Sequence, residues 1–143
     1  DVLGIIEEIL APINFRKKGN SWIKMRSELS NVVNLQKSKF GDRFYVNYGY
    51  IINSLPIEDS LMHIFNGLGS LNEQENFRIQ EVLNLENDIP DAERKNEFTI
   101  IFKSIVLKSF DGIETEADLV QELRKRPHFN DITLSSSPSV LNK

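Results

Sequence analysis

The chain has 143 residues, of which 40% are hydrophobic, and a formal net charge of −4 at pH 7. This length can bury one core without covalent staples, so we expect a single domain over residues 1–130 and a partly mobile tail over residues 131–143. Because the chain has no cysteine, disulfides, thiolate metal ligands and thiol nucleophiles are excluded.

The sequence favours a cytoplasmic location without membrane contact. No apolar run reaches the roughly 18 to 20 residues that a membrane-spanning helix needs. The first residues, DVLGIIEEILAP, are acidic, whereas a secretory signal begins with basic residues.

Charge is distributed unevenly along the chain. Residues 16–43 contain eight basic and two acidic side chains, which leaves −10 for the remainder. Such a division predicts one basic surface, suited to phosphate or an acidic partner, and one acidic surface, suited to a basic partner.

Helical spacing of apolar residues over 2–10 predicts an amphipathic first helix that ends near Pro12. After a turn at Lys18 to Asn20, alternation predicts a strand with Ile23 and Met25 on one face. Trp22, Lys24 and Arg26 would then point to the other face.

The pattern of residues 32–39 and 43–52 predicts two further strands, joined as a hairpin by a two-residue turn at Gly41-Asp42. In that register Gln36 lies opposite Asn47, and polar residues meet on one face of the sheet. The predicted polar face consists of Asn34, Gln36, Ser38, Tyr45 and Asn47, extended by Trp22, Lys24 and Arg26.

Residues 61–71 predict a fourth strand, and residues 72–88 fit either a short helix or a loop. A helix should start near Pro90 and run to about Phe110, and a last helix should start at Thr115 and end before Pro127. The expected fold is α+β, a three- to four-stranded antiparallel sheet with one face packed by an N-terminal helix and two C-terminal helices. The expected core stripe of the longer helix is Phe98, Ile101, Phe102, Ile105, Val106 and Phe110.

No catalytic, metal or cofactor motif is present. His63 and His128 lie 65 residues apart, neither has an acid or a second histidine at metal-ligand spacing, and we expect both to be structural. Adjacent carboxylates such as Glu7-Glu8 do not converge as acid-base catalysis requires. We therefore expect a non-enzyme that needs no cofactor; a third alternative, an enzyme, would require catalytic residues that only the fold brings together.

One set of residues follows a recognisable pattern: a Phe-basic-basic-Gly turn, an aromatic strand, an Asn-x-Gln-Lys-Ser strand and a Phe-Tyr-x-Asn-x-Gly strand. These residues are Phe15, Lys17, Lys18, Gly19, Trp22, Asn34, Gln36, Lys37, Ser38, Phe44, Tyr45, Asn47 and Gly49. In this pattern the chain resembles a bacterial family known only as a domain of unknown function, number 4304. The resemblance is strongest over residues 15–52 and looser to about residue 126, and it implies an α+β fold with an antiparallel sheet and no known activity.

The leading hypothesis is an immunity protein, which would neutralise a toxin delivered by a neighbouring bacterium, such as a nuclease with a basic surface. The alternative is a nucleic-acid or small-ligand module that uses the polar and basic sheet face. A sequence pI near 5.2 disfavours nucleic acid. The acidic candidates for partner binding are Glu73, Glu75, Glu81, Glu86, Asp88, Asp91, Glu93 and Glu97.

Overall fold

A computed structural model describes residues 1–57, 61–69 and 73–125 together with the backbone of Thr133–Leu134. It confirms the α+β class. The strands are β1 Arg16–Lys18, β2 Ser21–Met25, β3 Leu29–Lys37, β4 Phe44–Ile52, β5 Ile64–Gly67 and β6 Thr133–Leu134; the helices are α1 Val2–Leu10, α2 Glu73–Leu83, α3 Asp91–Phe102, α4 Lys108–Gly112 and α5 Glu116–Arg124.

The strands form one antiparallel sheet in the order β1-β2-β3-β4-β5-β6. The sequence predicted three to four strands and did not include β1 and β6. All three residues of β1 are exposed and basic, so the strand has no hydrophobic alternation, and its charges protect a sheet edge from further pairing. β6 is two residues long, and the rest of the predicted tail lies outside the described residues.

The hairpin forms, but the predicted register is wrong by two residues. Gln36 lies opposite Tyr45 and Asn34 opposite Asn47, and a longer connection closes with Ser38 N–H donating to Arg43 O at 2.9 Å. Leu85 N–H donates to Asp42 O at 2.8 Å, so the tip docks on the α2–α3 loop. Because a shift of two keeps side chains on their face, the polar face survives.

The helices pack on the other face, where Val33, Leu35, Val46, Tyr48 and Tyr50 are buried. Of the expected stripe, Phe98, Phe102, Val106 and Phe110 are buried, while Ile101 and Ile105 are partly buried against the same core. The four buried positions are spaced by four residues.

That spacing requires a change of helical pitch. An α-helix turns about 100° per residue, so positions four apart drift by about 40° per step and by about 120° from Phe98 to Phe110. A π-helical turn at Lys103–Leu107 joins α3 to α4, and Lys108 N–H donates to Lys103 O. This wider turn removes part of the drift and keeps the stripe on the sheet.

Residues 73–83, which fitted either helix or loop, form α2. Its C-terminal end is held by Arg94, a buried arginine on α3. The guanidinium donates to the carbonyl oxygens of Val82, Asn84 (3.3 Å) and Asn87 (2.9 Å). The positive charge therefore lies at the negative end of the α2 dipole and satisfies carbonyls that the helix leaves unpaired.

The last helix begins as expected. Thr115 Oγ1 accepts from Asp118 N–H at 3.0 Å, and Asp118 Oδ2 accepts from Thr115 N–H at 3.2 Å and Glu114 N–H at 3.1 Å. This reciprocal capping box stabilises the first turn of α5. Within the described part of the chain, no helix has the length and apolar character to cross a membrane.

Replacing Arg94 by Met should lower the free energy of unfolding by about 2 to 4 kcal/mol, because three carbonyl oxygens would lose their donor. Urea denaturation measures the change. Lys95→Met is the matched control, since the exposed Lys95 pairs with Glu8 and such a pair contributes at most about 1 kcal/mol. Equal losses for both variants would contradict the role of Arg94.

Asp118→Ala should reduce stability at neutral pH but not in strong acid. Hydrogen bonds from the Glu114 and Thr115 N–H groups lower the pKa of Asp118. A folded-state pKa below the unfolded value stabilises the protein above about pH 4, and the contribution is lost as pH falls through the folded pKa. Urea midpoints of wild type and variant should therefore differ near neutral pH, and the difference should shrink as the pH falls through the folded-state pKa of Asp118. A difference that stays constant with pH would refute this role of the Asp118 carboxylate.

Candidate binding surfaces

The polar residues of the sheet form a hydrogen-bonded ladder across β2, β3 and β4. Asn47 Nδ2 donates to Asn34 Oδ1 at 3.2 Å and to Gln36 Oε1 at 3.3 Å. Asn34 Nδ2 donates in turn to Ser21 Oγ at 3.0 Å. Ser21 and Asn47 are buried, whereas Gln36 is exposed. The amides mainly bind one another, so the ladder fixes strand pairing.

Trp22, Lys24 and Arg26 do not extend this face, and their prediction is corrected. Ser21 pairs with Asn34, which places Trp22 opposite Val33 on the helix side. Trp22 is fully buried, and its Nε1–H donates to Glu7 Oε2 at 2.7 Å. Each face of β2 carries an apolar side chain, Trp22 on one face and Ile23 with Met25 on the other. Burial of the larger Trp22 side chain decides which face of the strand lies against the core.

The two cations of that set also lie on the helix side. Lys24 lies opposite Asn31 on β3, and Asn31 lies opposite Tyr50 on β4. Residues opposite each other share a face of the sheet, so Lys24 is on the same face as Tyr50. Arg26 Nη1 donates to Phe110 O at 2.9 Å, and its Nη2 lies 3.3 Å from Glu114 Oε1. Arg26 thus ties the β2–β3 connection to the end of α4.

The remaining sheet candidates occupy the end of the hairpin. Tyr45 is 39% exposed beside Gln36. Ser38 lies in the turn, where its Oγ accepts from Phe40 N–H at 3.1 Å. The exposed part of the polar face is therefore small and consists of Gln36, Tyr45 and the partly exposed Asn34 and Ser38.

Several residues behind the resemblance to a known family have structural roles. A Cβ atom at Gly49 would lie 1.8 Å from Ile64 O, so only glycine allows β5 to approach β4 there. Phe15 stacks on Phe110 with ring centroids 6.1 Å apart. Gly19 has φ +62°, and Lys17 Nζ donates to its carbonyl at 2.8 Å. These residues define the fold rather than a ligand site.

The acidic candidates lie on or between two neighbouring helices. Residues 73–97 contain eight acidic and three basic side chains, and one of the cations, Arg94, is buried. Glu73, Glu75 and Glu81 are on α2, Glu86 and Asp88 are in the loop, and Asp91, Glu93 and Glu97 are on α3.

Arg78 joins the two helices at the centre of this region. It pairs with Glu97 on α3 and, at 3.4 Å, with Glu81 on α2. Hydrogen bonding to the Glu97 carboxylate raises the pKa of Arg78. At the loop, Arg43 Nε lies 4.0 Å from Glu86 Oε2, and Asp91 and Glu93 occupy the first turn of α3, where the helix dipole favours negative charge.

Two large apolar side chains near that ion pair along the helices are exposed to solvent. Phe77, next to Arg78, is 71% exposed, and Ile100, one turn after Glu97, is 60% exposed. We name Glu73, Phe77, Glu81, Glu93, Glu97 and Ile100 the acidic α2–α3 surface. Sequence reasoning found its charges but missed both apolar residues, which periodicity could have assigned to the outer faces of the helices.

The structure tests one of the two histidine predictions. His63 is buried, its Nδ1 accepts from Ile52 N–H at 2.8 Å, and its Nε2 lies 2.7 Å from Pro56 O. This is a structural histidine, as expected. His128 lies outside the described residues. Among the residues that the structure describes, no group of three histidine or acidic side chains could hold a metal ion.

Asn47→Ala should destabilise the protein by about 1 to 2 kcal/mol, because Asn34 and Gln36 would both lose a donor in a largely buried ladder. Gln36→Ala, at the exposed end of the same ladder, should cost less than about 0.5 kcal/mol. Urea denaturation of the two variants gives the comparison. A larger effect for Gln36 would show that the ladder does not carry the pairing.

A known protein family matches most of the chain. The family described as a domain of unknown function (DUF4304) matches residues 6–112. No curated protein and no solved structure matches the chain.

Proposed function

We propose that this chain, which belongs to the DUF4304 family, is a non-catalytic immunity protein that inhibits a bacterial toxin domain with a basic surface, such as a nuclease. The family has no assigned activity, so the proposal depends on the chain's own surfaces. The observation that carries it is the acidic α2–α3 surface, where the exposed Phe77 lies one helical turn from Glu73 and Glu81, and the exposed Ile100 lies one turn from Glu97.

This combination suits a protein partner. Phe77 and Ile100 are 71% and 60% exposed, and exposed apolar groups of this size serve as anchors when a partner buries them. The carboxylates around them would speed encounter with a cationic protein and repel nucleic acid. A nuclease surface that binds phosphates carries the complementary charge.

The alternative, a nucleic-acid or small-ligand module on the sheet face, has less support. Three of its expected contacts, Trp22, Lys24 and Arg26, lie on the helix side of the sheet. The amides of Asn34 and Asn47 bind each other. Binding there would require steep salt dependence, which is the measurement that would favour it.

Inhibition predicts rescue and a stable complex. Co-expression should protect cells from a toxin encoded next to this gene, and the two proteins should co-purify through an interface of roughly 1,200 to 2,000 Å². Phe77→Ala should weaken the complex by about 10- to 100-fold, mainly through faster dissociation. Surface plasmon resonance measures both rates.

Phe40→Ala is the matched control, because Phe40 is 96% exposed at the tip of the hairpin and lies outside the acidic α2–α3 surface. It should change affinity by less than about twofold. If Phe40→Ala weakens binding more than Phe77→Ala, the hairpin is the contact surface. If no adjacent toxin is neutralised, the inhibitor proposal fails.

A further inference from the structure

An apolar groove of about 590 Å³ lies between α1 and the long helix formed by α3, the π-helical turn and α4. Its first wall comes from α1 and from the 3-10 turn Ala11–Ile13 that follows it. Ile5 is buried, Ile9 is half-buried and Ile13 is 36% exposed. Because these isoleucines are spaced by four residues, they follow one side of the helical segment. This wall therefore gives the groove a strip of partly accessible apolar surface.

The second wall comes from the long helix. Four side chains line it, spaced by four residues and each one position after a buried residue of the same helix: Lys95, Thr99, Lys103 and Leu107. The wider turn at Lys103–Leu107 keeps the buried stripe on the sheet, and it keeps this neighbouring series together in the same way. The groove is therefore a preformed consequence of the helix packing.

One of the charges in the groove is uncompensated. Glu8 and Lys95, which both line it, pair with each other at 2.9 Å between Oε2 and Nζ and so neutralise one another. The ammonium of Lys103 makes no ion pair with any residue that the structure describes. One turn earlier, the Thr99 hydroxyl has no hydrogen-bond partner in the same part of the chain. The groove thus offers a cation and a hydroxyl beside its apolar lining.

This lining selects an amphipathic anion. The isoleucines favour an alkyl chain, which loses its contact with water when it lies against them. An anionic head group would accept hydrogen bonds from the Lys103 ammonium and the Thr99 hydroxyl. A cationic head group would be repelled by Lys103, and the one carboxylate of the lining, Glu8, already has a partner.

We propose that this groove binds the anion of a medium-chain fatty acid, with its alkyl chain along the isoleucines and its carboxylate toward Lys103 and Thr99. The volume falls within the roughly 300 to 1,000 Å³ range of small-molecule sites. None of the residues that line the groove belongs to the acidic α2–α3 surface. The proposal is therefore independent of toxin inhibition, and the failure of either leaves the other intact.

Titration of the isotope-labelled protein with decanoate, kept below the concentration at which it forms micelles and followed by amide NMR shifts, tests the proposal. Decanoate should shift the amides of residues 5–13 and 95–107 saturably, with a Kd below about 1 mM. Decylammonium has a similar chain with the opposite charge, and acetate has the carboxylate without the chain, so each should bind at least about tenfold more weakly. Equal binding of decanoate and decylammonium, or no saturable shift of these amides with decanoate, overturns the proposal.

A pair of lysine variants separates the site from the general charge of the helix. Lys103→Met keeps an apolar stem but removes the cation, and it should weaken decanoate binding by about tenfold or more. Lys108→Met should leave binding unchanged, because Lys108 begins α4 and lines a different cleft, together with Ser104 and Ser109. Amide spectra that otherwise match wild type show that both variants are folded. Equal effects of the two substitutions would rule out the site.

Discussion

The contact between the period-four stripe of the long helix and the sheet determines the rest of the architecture. Phe110, the last residue of that stripe, meets Phe15, Tyr48 and Tyr50 with ring centroids between 5.5 and 6.2 Å apart. Because a regular α-helix would turn Phe110 away from Phe98, the stripe requires the wider turn at Lys103–Leu107. The Phe110 carbonyl also accepts from Arg26, so one residue joins sheet, helix and β2–β3 connection.

The same wider turn has a consequence at the surface. It places Ser104 and Lys108 on the wall of a cleft of about 490 Å³, while the intervening Val106 stays buried. A π-helical turn costs regular hydrogen bonding, and such turns often occur at functional sites. Here a packing requirement alone accounts for the turn.

Local patterns predicted the element types well and their tertiary relations less well. The start of the last helix at Thr115 and the stripe from Phe98 to Phe110 depend on neighbours along one helix, and the structure confirms them. The face of Trp22 and the register at Asn34 depend on partners distant in sequence, namely Glu7 and the α2–α3 loop. Alternation alone cannot show which face of a strand is buried when both faces carry apolar residues.

Arg94 illustrates a signal that was present but ambiguous. It continues the spacing of the stripe four residues before Phe98, yet within DAERKNEF it resembles the charges of a solvated helix. Only the unpaired carbonyls at the end of α2, which no linear pattern displays, explain the burial of its guanidinium. The acidic α2–α3 surface was predicted from charge, whereas its apolar residues become visible only when the buried sides of the two helices are known.

The arrangement of that surface bears on how a partner would use it. Arg78 neutralises part of the charge of Glu81 and Glu97 between the helices, so carboxylates at the periphery, such as Glu73 and Glu93, retain the stronger field. Protein interfaces commonly have an apolar centre and a polar rim, and the neutralised pair together with the exposed Phe77 and Ile100 would form such a centre of low net charge. Under the inhibitor proposal, the rim would govern the rate of encounter and the apolar centre the lifetime of the complex.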